Sequence, residues 1–151
     1  MAERIRRARP DEADALTALS HRSKASWGYP PALMRHFAED LRITRRDVAE
    51  DETWVVEEGG SVLGVCRLRR GETAILEDLW VDPSAMGRGV GRRLWEHVVV
   101  LARSTGARAI ELDADPNATP FYERMGARVI GETPSSAIEG RTLPRMRCEV
   151  G

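Results

Sequence analysis

A chain of 151 residues, 42% hydrophobic and 31% charged, holds enough apolar material for one packed core and enough charge to keep its surface in water. Its formal net charge of −1 argues against the concentrated basic surface that nucleic-acid binding needs; the arginines at Arg4, Arg6, Arg7 and Arg9 read as a solvated face, answered at once by Asp11, Glu12 and Asp14. The longest unbroken apolar run, Val98 to Ala102, is too short to cross a bilayer, and no signal-peptide pattern opens the chain, so no membrane partner and a cytoplasmic location are expected.

A first strand is expected over residues 3–9. Asp11 after Pro10 is a plausible N-cap for a helix through Leu16 and Leu19 to Lys24. Trp27-Gly28-Tyr29-Pro30-Pro31 breaks that helix, and Leu33, Phe37 and Leu41 mark a second. Trp54–Glu57 and Val62–Leu68 read as strands of a hairpin turning at Glu58-Gly59-Gly60-Ser61; a third strand, Thr73 to Val81, follows the turn at Arg70-Gly71-Glu72, completing an antiparallel meander. After Asp82-Pro83, a Gly-rich turn opens a helix whose apolar face is Val90, Leu94, Val98, Leu101 and Ala102. A buried strand at Ala109–Leu112, a short helix at Asn117–Met125, and strands at Ala127–Gly131 and Leu143–Val150 complete an α/β domain, residues 1–151, of about seven strands and about four helices. Cys66 and Cys148 lack CxxC spacing and read as core hydrophobes. The three histidines are scattered, so no metal site is expected.

Gly87-Arg88-Gly89-Val90-Gly91 lies between a strand and a helix. Glycines let the backbone approach a ligand, and unpaired N–H groups of the first helical turn favour a phosphate or pyrophosphate. The alternative is a tight turn with no ligand. A GxxxxGK[ST] loop is absent. A GxGxxG match fails because Arg92 stands at the last glycine, and the turn follows a meander instead of opening a βαβ unit.

The run Leu76-Glu77-Asp78-Leu79-Trp80-Val81-Asp82-Pro83 followed by that turn resembles the first signature of the GNAT superfamily of N-acetyltransferases, a strand, V-x-P and R/Q-G-x-G-x-G/A. Asn117-Ala118-Thr119-Pro120-Phe121-Tyr122-Glu123-Arg124-Met125-Gly126-Ala127 resembles its second, N-x-x-A/P-x-x-F-Y-x-x-x-G-F. Met86 departs from the usual Gln or Arg before the first glycine.

The resemblance implies an acetyl-CoA-dependent enzyme acting on an amine. Backbone groups of Leu79, Trp80 and Val81 would pair with the pantetheine arm. N–H groups of Gly87, Arg88, Gly89, Val90, Gly91 and Arg92 would cradle the pyrophosphate, and Asn117, Phe121 and Tyr122 from the second signature would also bind the cofactor. Tyr122 is the candidate acid for the leaving thiolate, its alternative a packed aromatic. A phenol, with pKa about 10, can pass a proton to a thiolate, about 8.5, while staying neutral at pH 7. Glu77 and Asp78 are the candidate bases. They would face opposite sides of a regular strand, so a bulge is needed to turn both into one site; Glu77, acting through water, is preferred. In the superfamily the acceptor pocket is walled by the first two helices, which puts Trp27 and Tyr29 beside the substrate or, alternatively, plugging the helix corner. The loop Pro134–Arg141 would cover the same mouth or form a homodimer contact. The acceptor is then a small-molecule amine or a peptide, a protein N-terminus or lysine being the alternative. A non-catalytic acyl-CoA sensor, which needs no Tyr122, is the alternative of another class.

Overall fold

Period-two alternation in the middle of the chain puts apolar side chains on both faces of one sheet. Val55 and Val65 pack to one side, Val56 and Cys66 to the other. The computed structural model describes residues 2–151. Its strands are β1 (Arg4–Arg7), β2 (Glu52–Glu58), β3 (Ser61–Arg69), β4 (Thr73–Val81), β5 (Ala109–Asp113), β6 (Arg128–Pro134) and β7 (Thr142–Glu149), in the order β1-β2-β3-β4-β5-β7-β6. All neighbours are antiparallel except β4 and β5. That parallel pair needs a crossover, supplied by the helix after the glycine turn.

The helices are α1 (Ala13–Ala25), α2 (Pro31–Phe37), α3 (Arg45–Glu50), α4 (Val90–Ser104) and α5 (Thr119–Arg124). On α4, the buried Val90, Leu94, Trp95, Val98, Leu101 and Ala102 form one stripe at helical spacing and join the main core with Leu68, Ile110 and Met146. Gly64 of β3 lies under that stripe. A Cβ there would stand 2.9 Å from Leu94 Cδ1 and 3.0 Å from the Trp80 carbonyl oxygen, so α4 sits close because residue 64 has no side chain. Across the sheet, α1 and α3 pack Leu16, Leu19 and Val48 on Val55 and Val65, while Met34, Phe37 and Leu41 form a separate cluster with Ala137 and Ile138 of the β6–β7 loop. No helix among the described residues is long and apolar enough to cross a membrane.

Four details differ from expectation. Among the described residues there are five helices, and the one without an expected counterpart is α3, whose single buried residue, Val48, gives no apolar period; a capping box marks it, Thr44 Oγ1 accepting from the Asp47 N–H and Asp47 Oδ2 from the Thr44 N–H. Asp11 does not cap α1: Pro10–Glu12 forms a short 3₁₀ turn, and Glu12 accepts the Arg9 N–H at 2.8 Å. α2 ends at Phe37, with Leu41 buried beyond it. Arg6 is not on a solvated face, for its guanidinium is held by Glu12 and Glu57, and Glu12 is lowered to about 2 chiefly by the Arg6 hydrogen bond.

Candidate active site

β4 and β5 pair only from Thr73 opposite Ala109 to Ile75 opposite Glu111, then part. The wedge they leave is a cavity of about 550 Å³, lined by Leu79, Trp80 and Val81 from β4, by the glycine turn, and by Phe121 and Tyr122 from α5. Gly87 and Gly89 hold φ of +79° and +80°, the left-handed region, which only glycine enters at low cost. Gly91 serves by close approach, since a Cβ there would lie 3.4 Å from the Phe121 ring. The first N–H after the turn to find a backbone acceptor is that of Arg93, bonded to the Gly89 carbonyl at 3.1 Å. The N–H groups from Gly87 to Arg92 precede it at the positive end of α4, an arrangement chemically suited to an anion.

A second cavity, about 320 Å³, shares Leu76, Glu77, Asp78, Trp80, Asp113 and Asp115 with the first. Glu77 is the extra residue of a β-bulge. Arg67 pairs with Asp78 and Leu68 with Leu76, leaving Glu77 with no opposite residue. Both acids thereby line both cavities. Glu77 is exposed, whereas Asp78 is buried and has its oxygens occupied, by Arg67 Nε at 2.8 Å and Trp80 Nε1 at 3.0 Å. Burial pushes the Asp78 carboxyl up to about 6 against the pull of Arg67. Tyr122 is buried between Trp95 and Phe121, with ring centroids at 5.8 and 5.1 Å. Burial, with the charges of Asp78 and Asp115, raises its phenol above the ordinary value, so the hydroxyl keeps its proton across the neutral range.

The GNAT family model, described as Acetyltransferase (GNAT) family, matches residues 14–127, well over half of the chain. The chain belongs to the GNAT family. Similar proteins include a peptidyl-lysine N-acetyltransferase of Escherichia coli, 32% identical over 85% of this chain and 84% of the relative, and a glucosamine 6-phosphate N-acetyltransferase of Trypanosoma brucei brucei, 29% identical over 78% and 83%. Among solved structures, a GCN5-related N-acetyltransferase of Rhodopseudomonas palustris superposes with a TM-score of 0.84 at 22% identity over 99% of this chain and 96% of that one. A PaiA N-acetyltransferase of Thermoplasma acidophilum, in complex with coenzyme A, superposes with 0.79 at 14% identity over 99% of each. This GNAT protein is an acetyl-CoA-dependent N-acetyltransferase.

Within this acetyltransferase the candidate residues divide. Leu79, Trp80, Val81, Gly87, Gly89, Val90, Gly91, Arg92, Phe121, Tyr122, Glu77 and Asp78 all line the larger cavity. The Arg88 side chain does not; it is spent on Glu3 and Glu58, at 3.2 and 2.9 Å. Asn117 does not either: its amide donates to Tyr29 Oη and to Asp115 Oδ1. Trp27, expected on the acceptor side, is half exposed on the rim of the larger cavity. Tyr29 stands behind the smaller one, its hydroxyl 3.0 Å from Asp115 Oδ2.

That smaller cavity is walled by Lys24, at the end of the first helix, and by Arg141, in the loop expected over the mouth, two side chains given no individual role from the sequence. Lys24 Nζ, buried, donates to Asp115 Oδ2 at 2.8 Å and lies 4.2 Å from the Phe37 ring centroid. Arg141 Nη2 donates to Tyr29 Oη at 2.9 Å, with its guanidinium 4.9 Å from the same Phe37 centroid. Burial raises the Asp115 carboxyl, but the Lys24 hydrogen bond and the Asn117 N–H outweigh it, and the net shift is downward. One signal was available: Leu16, Ser20 and Lys24, at i, i+4 and i+8, share the buried stripe of α1, which puts a lysine inward.

Proposed function

We propose that this enzyme transfers the acetyl group of acetyl-CoA to the primary amine of a small acceptor held in the smaller cavity, with Glu77 as base and Tyr122 as acid. The observation that carries this reading is the junction of the two cavities at the Glu77 bulge, beside a buried tyrosine that lines the larger one. Acetyl-CoA supplies an activated acetyl thioester. The N–H groups from Gly87 to Arg92 would hold its pyrophosphate, and the edge of β4 at Leu79–Val81, unpaired toward β5, would take its pantetheine arm. Glu77, exposed on the bulge, takes the ammonium proton through water, while Asp78 stays engaged with Arg67 and Trp80. Tyr122 keeps its proton at neutral pH and gives it to the departing sulfur. A small acceptor is favoured over a peptide because the β6–β7 loop closes on α2: Ala137 and Ile138 pack against its cluster, and Ser136 Oγ donates to Asp40 at 2.7 Å.

The test is a kcat/KM profile against pH, followed as CoA release. Tyr122→Phe should keep the fold, because the ring still packs, and lower kcat roughly 10- to 1,000-fold. Glu77→Gln should lose most rate at neutral pH and recover toward the ammonium pKa of about 10.4, where solvent has already deprotonated the amine. A parent-like rate in Tyr122→Phe, with chemistry rate-limiting, overturns the acid role. An equal loss at every pH in Glu77→Gln makes that side chain a positioning residue instead.

A further inference from the structure

The two ends of the smaller cavity carry opposite charge. At the β4 end the wall carries the carboxylates of Glu77 and Asp78; the guanidinium of Arg67, outside the cavity lining, is shared among these two, Asp47 and Asp51, and the exposed Arg69 adds a contact to Glu77. At the other end, Lys24 and Arg141 are two cations around one carboxylate, Asp115. The third cation on this wall, Arg145, is divided between Glu111 and Asp113. Asp40, exposed at the rim and bonded to Ser136, is screened by water.

Arg141 is also incompletely used. Its Nη2 serves Tyr29 and lies 3.9 Å from Asp115, while its Nε and Nη1 have no hydrogen-bond partner among the described residues. Its Cζ lies over the Phe37 and Tyr29 rings, 4.9 and 5.6 Å from their centroids. A planar guanidinium held on aromatic rings with free N–H groups is a receptor for a carboxylate or phosphate. A buried lysine beside it adds charge where water cannot screen it well.

We infer that the acceptor carries, besides its amine, an anionic group that docks against Arg141 and Lys24, leaving the amine at Glu77. The inference rests on the reading of the smaller cavity as the acceptor site. It makes Arg141 a specificity-determining residue supplied by the β6–β7 loop, and it names the acceptor class: amines bearing a carboxylate or a phosphate a few bonds away.

Matched probes test it on the CoA-loaded protein: β-alanine against its uncharged amide, and 2-aminoethyl phosphate against ethanolamine. Calorimetry reads binding, and CoA release from acetyl-CoA reads turnover. In the parent at least one anionic probe should bind roughly 10- to 100-fold more tightly than its neutral twin, the span of a charge-assisted, two-bond contact. The series with the larger ratio distinguishes carboxylate from phosphate. Arg141→Gln should bring that ratio close to one, and Arg141→Lys, which keeps charge but not the fork, should leave it intermediate; acetyl-CoA binding by both variants reports that they fold. Equal binding of the twins in the parent, or a ratio that survives Arg141→Gln, overturns the inference. Neutral twins acetylated as fast as anionic ones also overturn it, and leave the acetyl-transfer reading standing. Anionic probes that bind through Arg141 yet never release CoA do the reverse.

Discussion

The two cavities share Leu76, Glu77, Asp78, Trp80, Asp113 and Asp115 but are otherwise built by different means. The larger is made of backbone: a strand edge left unpaired where β4 parts from β5, two left-handed glycines, and the free N–H groups at the start of α4. The smaller is made of charge. Lys24, Asp115 and Arg141 come from three elements up to 117 positions apart along the chain and are held by hydrogen bonds and aromatic faces. Backbone sites hold whatever side chains do around them, whereas charge clusters depend on every member and on pH. Experiments that strike one cavity should therefore leave the other largely intact.

The largest expected effect falls on the charge-built side. Asp115→Asn leaves Lys24 buried without its counter-ion, a change that costs about 3 kcal/mol or more of stability at pH 7. Because Asp115 is shifted down in the fold, its contribution is present above the unfolded value of about 3.9 and fades as pH falls through the folded one. Denaturant melts of parent and variant should thus differ at pH 7 and converge in acid below about pH 4. A constant difference across that range would mean the carboxylate charge is not what holds the cluster.

The same contrast explains what was legible in the sequence. The meander, α4 and the glycine turn rest on period-two and 3.6-residue patterns and on glycine itself, all local signals. A bulge was expected on the condition that both adjacent acids face the site, although nothing local said that Asp78 would be the one consumed, by an arginine eleven positions earlier. α3 has too little apolar surface to show a period, and only its capping box marks it. The acceptor wall was the least legible part. A lysine on a buried stripe was visible, but its partners depend on where the β5–α5 and β6–β7 loops converge, which is a property of the fold and not of any window.

Gly64→Ala strikes the backbone-built side from beneath. Its new Cβ would meet Leu94, the Trp80 carbonyl and Val90 at 3.0 Å or less, so α4 must shift, at about 2 kcal/mol for a core already filled. For a chain of this length that is a fall in Tm of about 4–8 °C, read by thermal melting. Val90 opens α4, so acetyl-CoA should bind more weakly as well. An unchanged Tm would show that α4 does not depend on the missing side chain.

Gly89→Val is narrower in effect. A β-branched residue at φ +80° either strains the turn or moves it, and the strain of about 1–2 kcal/mol falls on the N–H cradle. Acetyl-CoA affinity, read by calorimetry, should drop roughly tenfold. The Lys24–Asp115–Arg141 cluster should be unaffected, so the ratio between anionic and neutral acceptor probes should hold. Undiminished acetyl-CoA binding would remove the turn from the pyrophosphate site.

The smallest effect decides to which cavity Trp27 belongs. Sequence position paired it with Tyr29 in the helix corner, but Gly28, at φ +92°, turns the chain between them. Tyr29 goes to Asp115, while Trp27 stays with the glycine turn, where its neighbour Ser26 touches Met86 Sδ at 3.8 Å. Trp27 is about half exposed, so an alanine there removes only part of an aromatic contact. Trp27→Ala should raise the acetyl-CoA dissociation constant about three- to fivefold, near 1 kcal/mol, and leave the acceptor KM within error. Tyr29→Phe supplies the opposite arm: it removes the hydroxyl that joins Asp115, Asn117 and Arg141, so acceptor KM should rise while acetyl-CoA binding holds. If Trp27→Ala instead raises acceptor KM and spares the cofactor, then Trp27 and Tyr29 act together on the acceptor, and the division between a backbone-built and a charge-built cavity does not run between residues 27 and 29.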